Sequence, residues 1–165
     1  VEEIEFLGFR IGRDGLKMDA TNVEAVRKWP RPNKIIEVQQ FLGIVQYVRK
    51  FIRNFSEMVA PLTDLIRGAQ MFKWTTREHA TFDELKEAVC LQPVLQLTDF
   101  TKPFEVHTDA YDQVYGAVLF QDGHPIAYES KNISEVESRW PTHEKEMLAI
   151  VYALPGNGGI VRYNQ

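Results

Sequence analysis

Hydrophobic and polar positions change their period part-way along the chain. Over residues 35–55, IIEVQQFLGIVQYVRKFIRNF, the residues Phe41, Ile44, Val45, Val48 and Ile52 recur at three- and four-residue steps. That spacing lines one face of an α-helix. Gly43 is a candidate break into two shorter helices. From about residue 94 the period becomes strand-like. Residues 104–108, 114–121 and 125–130 read as three strands, with Asp122-Gly123 as a two-residue turn between the last two. The pattern predicts an antiparallel meander. A final helix starts at Thr142 or at an earlier Ser, with Met147, Ile150, Val151 and Leu154 as its apolar face, and Pro155-Gly156 stops it.

The remaining segments carry clear punctuation. Residues 4–11, IEFLGFRI, form one short apolar run, and Asp14-Gly15 separates it from Leu16-Lys17-Met18, which signals a hairpin. Asp19 or Thr21 can cap a helix whose face holds Val23, Val26 and Trp29. Trp29-Pro30-Arg31-Pro32 must break that helix, because each Pro disfavours helix at the residue before it. Ser56 caps a short helix containing Met58, Leu62, Leu65 and Ile66, which Gly68 ends. Thr75 or Thr76 caps another, with Phe82, Leu85, Ala88 and Val89 on one face and Pro93 beyond it. The expected fold class is α+β: a helical part over residues 1–91, then a strand-rich part over 92–165.

Composition narrows the class. With 165 residues, 44% of them apolar and 25% charged, the chain reads as a folded protein of one ordinary domain or two small ones. Its apolar runs fall far short of the ~18 residues of a membrane helix. The single Cys90 excludes an internal disulfide, and no Cys/His cluster suggests zinc. The chain opens VEEIEF, without an initiator Met or signal peptide, and is expected to be part of something longer. The net charge of −4 is uneven: residues 1–20 carry −2, residues 21–73 carry +5 and residues 74–165 carry −7. A basic middle beside an acidic end suits a polyanion at one part and a cation at the other.

Two groups of residues could carry chemistry. Asp109 lies between two apolar strand runs, at the expected end of the strand central to the meander, where a carboxylate is costly unless solvated, paired or bound to a cation. Glu146 precedes the apolar face of the last helix. If that helix crosses the sheet, the two acids converge, and convergent carboxylates can hold Mg²⁺. A pair of such ions can drive phosphodiester cleavage. Arg49, Lys50 and Arg53 lie together off the apolar stripe of the long helix and could track a phosphate backbone. His107 and His143 lack the spacing of a metal pair or a catalytic triad. Gly156-Asn157-Gly158-Gly159 follows a helix, not a strand, and is a terminator rather than a phosphate loop.

The segments FLGFRIGRDGLKMD, WPRP, EVQQFLGIVQYVRKFIRNFS, APLTDL, FKW, PVLQLTDFTKPFEVHTDA, GAVLFQDGHPIAYESKNIS and THEKEMLAIVYAL follow one another in order. This series, over roughly residues 4–154, resembles the polyprotein of gypsy-type (metavirus) LTR retrotransposons, from the end of reverse transcriptase into ribonuclease H. The resemblance implies that residues 1–91 are the end of the palm, the thumb and the connection. It implies that residues 92–165 are the opening βββα of a ribonuclease H-like domain, with a divergent tail from residue 155. It implies RNA-directed DNA synthesis and cleavage of RNA in RNA–DNA hybrids as the parent activity, with two Mg²⁺ ions. The implied partner is an RNA–DNA hybrid or a template–primer duplex, contacted at Arg49, Lys50 and Arg53. The implied metal ligands are Asp109, in the TDAS-like motif, and Glu146 rather than Glu144. Tyr111 stands where the family has Ser, and His143 where it has Tyr. The polymerase catalytic strands and the later ribonuclease H carboxylates are not matched, and PGNGGIVRYNQ follows none of the pattern. The isolated chain is therefore expected to be inactive or nearly so. The alternatives are a non-enzymatic nucleic-acid-binding module on the basic helix, or a residual Mg²⁺-dependent ribonuclease H with missing ligands from Asp112 or a partner chain. No membrane contact and no small-molecule cofactor are expected, and an intracellular location is.

Overall fold

The computed structural model describes residues 3–68, 72–111 and 113–154, and of Tyr111 only the backbone. The expectations for Asp112 and for the tail from residue 155 fall outside the described residues. The chain forms two compact units: Val1–Ile52 with Met58–Val94, and Arg53–Glu57 with Leu95–Gln165.

The first unit opens with a three-stranded antiparallel sheet, β1 (Ile4–Phe6), β2 (Phe9–Gly12) and β3 (Gly15–Met18), in that spatial order. The apolar run 4–11 is thus a hairpin in itself. Leu7 and Gly8 both have positive φ (49° and 76°), as a primed two-residue turn demands. A Cβ on Gly8 would also stand 2.5 Å from Asn22 Nδ2, so the Asn22 side chain would have to move. Helix α1 (Ala20–Arg27) starts at Asp19, whose carboxylate accepts from the Thr21 backbone N–H at 2.8 Å and from Arg10 Nε at 2.7 Å.

Helix α2 (Ile35–Tyr47) runs straight through Gly43. Glycine costs a helix about 1 kcal/mol, but Val38, Phe41 and Val45 are fully buried around it and outweigh that cost. The break comes instead at Val48 (φ −102°, ψ 10°), followed by a 3₁₀ turn, Arg49–Phe51. Helix α3 (Phe55–Arg67) and helix α4 (Thr76–Cys90) follow. Thr75 and Glu78 form a reciprocal capping box at the start of α4. The core of this unit is aromatic. Phe82 lies 4.6 Å from Phe41 and 5.8 Å from Trp74, ring to ring, with Val26, Leu62, Leu85 and Val89 buried around them.

The second unit holds the predicted meander: β4 (Glu105–Tyr111), β5 (Val114–Gln121) and β6 (His124–Asn132), antiparallel in the order β4-β5-β6. Asp122 and Gly123 make the expected turn, both with positive φ. Gln121 is fully buried and ties down the approach to β4. It accepts from Asp99 N–H at 2.9 Å and donates to the Asp99 carbonyl at 2.8 Å. Helix α5 (Thr142–Ala153) lies against β4 and β5. The side of α5 that meets the sheet differs from the expected one. Ala149 and Ala153 are buried, with Leu148 half-buried, against Tyr115, Ile133 and Ala110, because small side chains let the helix approach a sheet that already presents a tyrosine. Met147, Ile150, Val151 and Leu154 point outward and are 42–62% exposed. The fold is α+β, as the periodicity predicts.

The Arg10 hydrogen bond and the Thr21 backbone and hydroxyl contacts hold the Asp19 carboxyl down to about 2. Its contribution to stability is complete above the ordinary aspartate range near pH 4 and is lost as the pH falls toward 2. Asp19→Asn keeps a capping oxygen but removes this titration. The urea midpoint of the variant should therefore fall less steeply between about pH 5 and about pH 2 than that of the unsubstituted protein. Parallel profiles would show that Asp19 is not held by Arg10.

Candidate active site and nucleic-acid surface

The register of β4 against β5 decides where Asp109 points. Asp109 pairs with Gly116, His107 with Val118 and Ala110 with Tyr115. Successive side chains of a strand take opposite faces. Ala110 and Tyr115 meet α5, so Asp109, His107 and Gly116 occupy the other face. The strand continues to Tyr111, which puts Asp109 inside β4 rather than at its end. Among the described residues β4 is an edge of its sheet, and β5 is the central strand.

On that face, residues Arg53–Glu57 lie against the sheet and leave a recess of about 190 Å³. Arg53, Asn54, Glu57, His107, Asp109 and Tyr128 are among the residues that line it. The expectation that Ser56 caps α3 is replaced by a different contact. The Ser56 N–H donates to Ser130 Oγ at 2.8 Å, and the Ser56 hydroxyl donates to the Ser130 carbonyl at 2.7 Å. Ser130 is the β6 partner of Gly116, so this pair fastens the segment directly over the centre of the face. Asn54 has φ 54°, a left-handed conformation that Asn tolerates better than most residues. A Cβ on Gly116 would sit 3.7 Å from Asn54 Oδ1, in ordinary contact, so the approach of Asn54 does not depend on a glycine there. The His107 ring lies 4.8 Å from that of Phe120, and its Nε2 is 3.5 Å from Glu105 Oε2.

Glu146 is exposed on α5, the helix that covers the Ala110 face. Among the described residues, no group of three or more His, Cys, Asp and Glu side chains is placed to hold a metal ion. Mg²⁺ requires several hard oxygen ligands in near-octahedral array. The described residues do not fit a complete centre of that kind.

The three cations expected on one helix face lie elsewhere. Arg49 and Lys50 belong to the 3₁₀ turn after α2, and Arg53 lies beyond it. Lys50 is drawn into the first unit, with Nζ 4.5 Å from the centre of the Phe9 ring and 5.4 Å from that of Phe51. Burial lowers its pKa. Phe9 also stacks on Tyr47 at 5.0 Å, and the Tyr47 hydroxyl donates to the Leu7 carbonyl at 2.5 Å. Arg53 belongs to the second unit and faces the Asp109 recess. Sequence reasoning missed Asn54, Glu57 and Tyr128 as neighbours of Asp109. The one local signal was Asn54, a residue type suited to a turn, between Ile52 and Phe55.

Residues 74–158 match the family model of the RNase H-like domain found in reverse transcriptase. RNase H-like domains generally use a divalent metal. Among curated proteins, the chain is similar to the retrovirus-related Pol polyprotein from transposon opus of Drosophila melanogaster, at 38% identity over 92% of this chain and 17% of that protein. It is similar to the corresponding polyprotein from transposon gypsy of the same organism, at 34% identity over 93% of this chain and 16% of that protein. The chain therefore spans about one sixth of the length of these relatives. Among solved structures, it is similar to foamy viral protease-reverse transcriptase in complex with dsDNA, with a TM-score of 0.86 and 27% identity over 93% of this chain and 33% of that one. The same viral protein in complex with an RNA/DNA hybrid gives a TM-score of 0.85 and 28% identity, over 92% of this chain and 21% of that one. No helix among the described residues is long and apolar enough to cross a membrane.

The Ser56–Ser130 pair should be measurable as stability. Ser130→Ala leaves the half-buried Ser56 N–H without its acceptor, which costs about 1–3 kcal/mol. Urea unfolding reads that loss, and an unchanged midpoint would mean that the segment is not held by this pair.

Proposed function

The chain belongs to the family of RNase H-like domains found in reverse transcriptase, and from that premise we propose that it is the part of a retrotransposon Pol polyprotein that engages an RNA–DNA hybrid or template–primer duplex. The observation that carries this reading is the recess of the second unit, where the strand aspartate of the family motif, Asp109, shares one sheet face with a cation, Arg53. Arg49, Lys50 and Arg53 are the proposed contacts to the phosphate backbone, whose attraction falls as salt rises. Lys50, half-withdrawn onto Phe9 and Phe51, contributes least of the three. Residues 1–91 correspond in this reading to the end of the palm, the thumb and the connection, and residues 92–165 to the opening of the ribonuclease H-like domain.

Asp109 and Glu146 are the two carboxylates that this stretch would contribute to a Mg²⁺ site. Because the described residues do not complete such a site, no cleavage step is assigned to them, and the isolated chain holds nucleic acid without cutting it. The parent polyprotein would carry RNA-directed DNA synthesis and hybrid cleavage.

A labelled RNA–DNA hybrid tests both halves. Binding, read by fluorescence anisotropy in chelator, should weaken steeply with salt. Replacing Arg49, Lys50 and Arg53 together with Ala should flatten the log–log salt dependence by about 2 to 3, one for each phosphate no longer neutralised. With Mg²⁺ added, the hybrid should stay intact. Binding that is indifferent to the triple substitution would remove these residues from the interface. Mg²⁺-dependent cleavage abolished by Asp109→Asn would show that the chain is a nuclease after all.

A further inference from the structure

A groove of about 450 Å³ lies between α1 and α2 in the first unit, and the reading above gives it no role. Its volume falls within the range of small-molecule sites, about 300–1,000 Å³. Met18 and Val26, both buried, form its floor. Trp29, just beyond α1, and Tyr47, at the end of α2, bring two aromatic rings to it. No charged side chain lines it, although residues 21–73 carry +5.

The polar groups at the groove are already committed. Asn22 Nδ2 donates to the Gly8 carbonyl at 3.2 Å, and the Tyr47 hydroxyl donates to the Leu7 carbonyl at 2.5 Å. Those bonds leave the ring of Tyr47 as an apolar wall. The walls are also fixed before any ligand arrives. Tyr47 stacks on Phe9 at 5.0 Å, ring to ring, and the Trp29 ring lies 6.2 Å from that of Phe41. The Trp29 carbonyl accepts from Lys86 Nζ at 3.1 Å. Little conformational freedom therefore remains to be lost on binding.

Gly43 supplies an independent observation. Alanine would favour the helix by about 1 kcal/mol at this position. Beyond its chain neighbours and its own helix backbone, no described atom lies within 4 Å of where a Cβ would stand. Packing within the chain thus does not ask for a glycine. The missing side chain keeps the groove open down to the backbone of α2, where a flat molecule can approach closely.

We propose that the α1–α2 groove binds an uncharged, planar aromatic molecule, seated on the α2 backbone at Gly43 and flanked by Trp29 and Tyr47. An ionic ligand would leave water for a lining without a counter-ion, so charge complementarity selects a neutral one. Aromatic walls favour a ring system over an aliphatic chain, through offset or edge-to-face contacts. The inference goes beyond the nucleic-acid reading and does not rest on it, since hybrid binding and ligand binding are separate measurements and either can fail alone.

The test titrates Nile red, an uncharged planar dye, into the full 165-residue chain. Dye fluorescence reads the affinity, and the indole N–H resonances of Trp29, Trp74 and Trp140 read the place. Binding should saturate, the Trp29 resonance should move most, and that of Trp140, in the second unit, should stay. Gly43→Leu fills the groove and improves helix propensity, so it should fold normally by circular dichroism and weaken binding by about tenfold. Ala25→Leu, from the α1 side of the same groove, should weaken it as well. Anilinonaphthalene sulfonate, an anionic dye, should bind there less tightly than Nile red. The inference is overturned if Nile red binding does not saturate, if both leucine variants bind as the unsubstituted chain does, or if Trp140 responds in place of Trp29. Equal affinity for the anionic dye at Trp29 would overturn the assigned ligand class. Self-association by ultracentrifugation that Gly43→Leu abolishes would give the groove to a second copy of the chain and overturn the small-molecule assignment.

Discussion

Strand alternation along β4 is the constraint from which the second unit takes its chemistry. Once Ala110 is committed to Tyr115 and α5, Asp109 has no freedom of face. A one-residue slip in the β4–β5 register would exchange them, placing a carboxylate against Ala149 and an alanine in the recess. Burying an unpaired carboxylate beneath a helix costs far more than any local gain could return. The apolar demand of α5 and the polar demand of Asp109 therefore select the same register. The meander is a stable platform for a charged residue because its other face is not.

The electrostatics follow from that division. Residues 74–165 carry −7, yet the face bearing Asp109 acquires an arginine from far upstream in the sequence. Two serines secure it, each using side chain and backbone. Lys50, only three residues before Arg53, meets the opposite fate. Its ammonium lies over two phenylalanine rings in the first unit, where burial disfavours its charge. Proximity in sequence thus says little about shared function here. The 3₁₀ turn between α2 and α3 sends neighbouring cations to different environments.

What the sequence made legible was what depends on short-range pattern. The strand period of the meander, the Asp122-Gly123 turn, the Thr75 cap and the start of the last helix at Thr142 all follow from neighbours within a few residues. What it hid depends on contacts made far along the chain. Gly43 looks like a helix break until Val38, Phe41 and Val45 are seen to be buried around it. FLGF looks like one strand because Leu7 is a poor advertisement for a positive φ. The sheet-facing side of α5 escapes the pattern because hydrophobicity favours Met147, Ile150, Val151 and Leu154, whereas close approach to Tyr115 favours Ala149 and Ala153. Asp109 stood out as a carboxylate between apolar runs. Its neighbours Asn54, Glu57 and Tyr128 did not, since nothing local ties residues 53–57 to a strand some fifty positions later.

Holding a nucleic acid and cutting it make different demands. Holding needs cations at suitable spacing and tolerates displacement, because phosphate attraction acts over a Debye length of about 8 Å at physiological salt. Cutting with divalent ions needs several oxygens converging to tenths of an ångström. Arg53, at a turn fastened by the Ser56–Ser130 hydrogen bonds, places one cation on the face that bears Asp109. Among the described residues, no group of three or more His, Cys, Asp and Glu side chains is placed to meet the second. Charge contacts degrade gradually and coordination fails abruptly. Removing one cation from such a surface therefore weakens binding by a step, whereas removing one oxygen from a divalent-metal centre disrupts the whole of it.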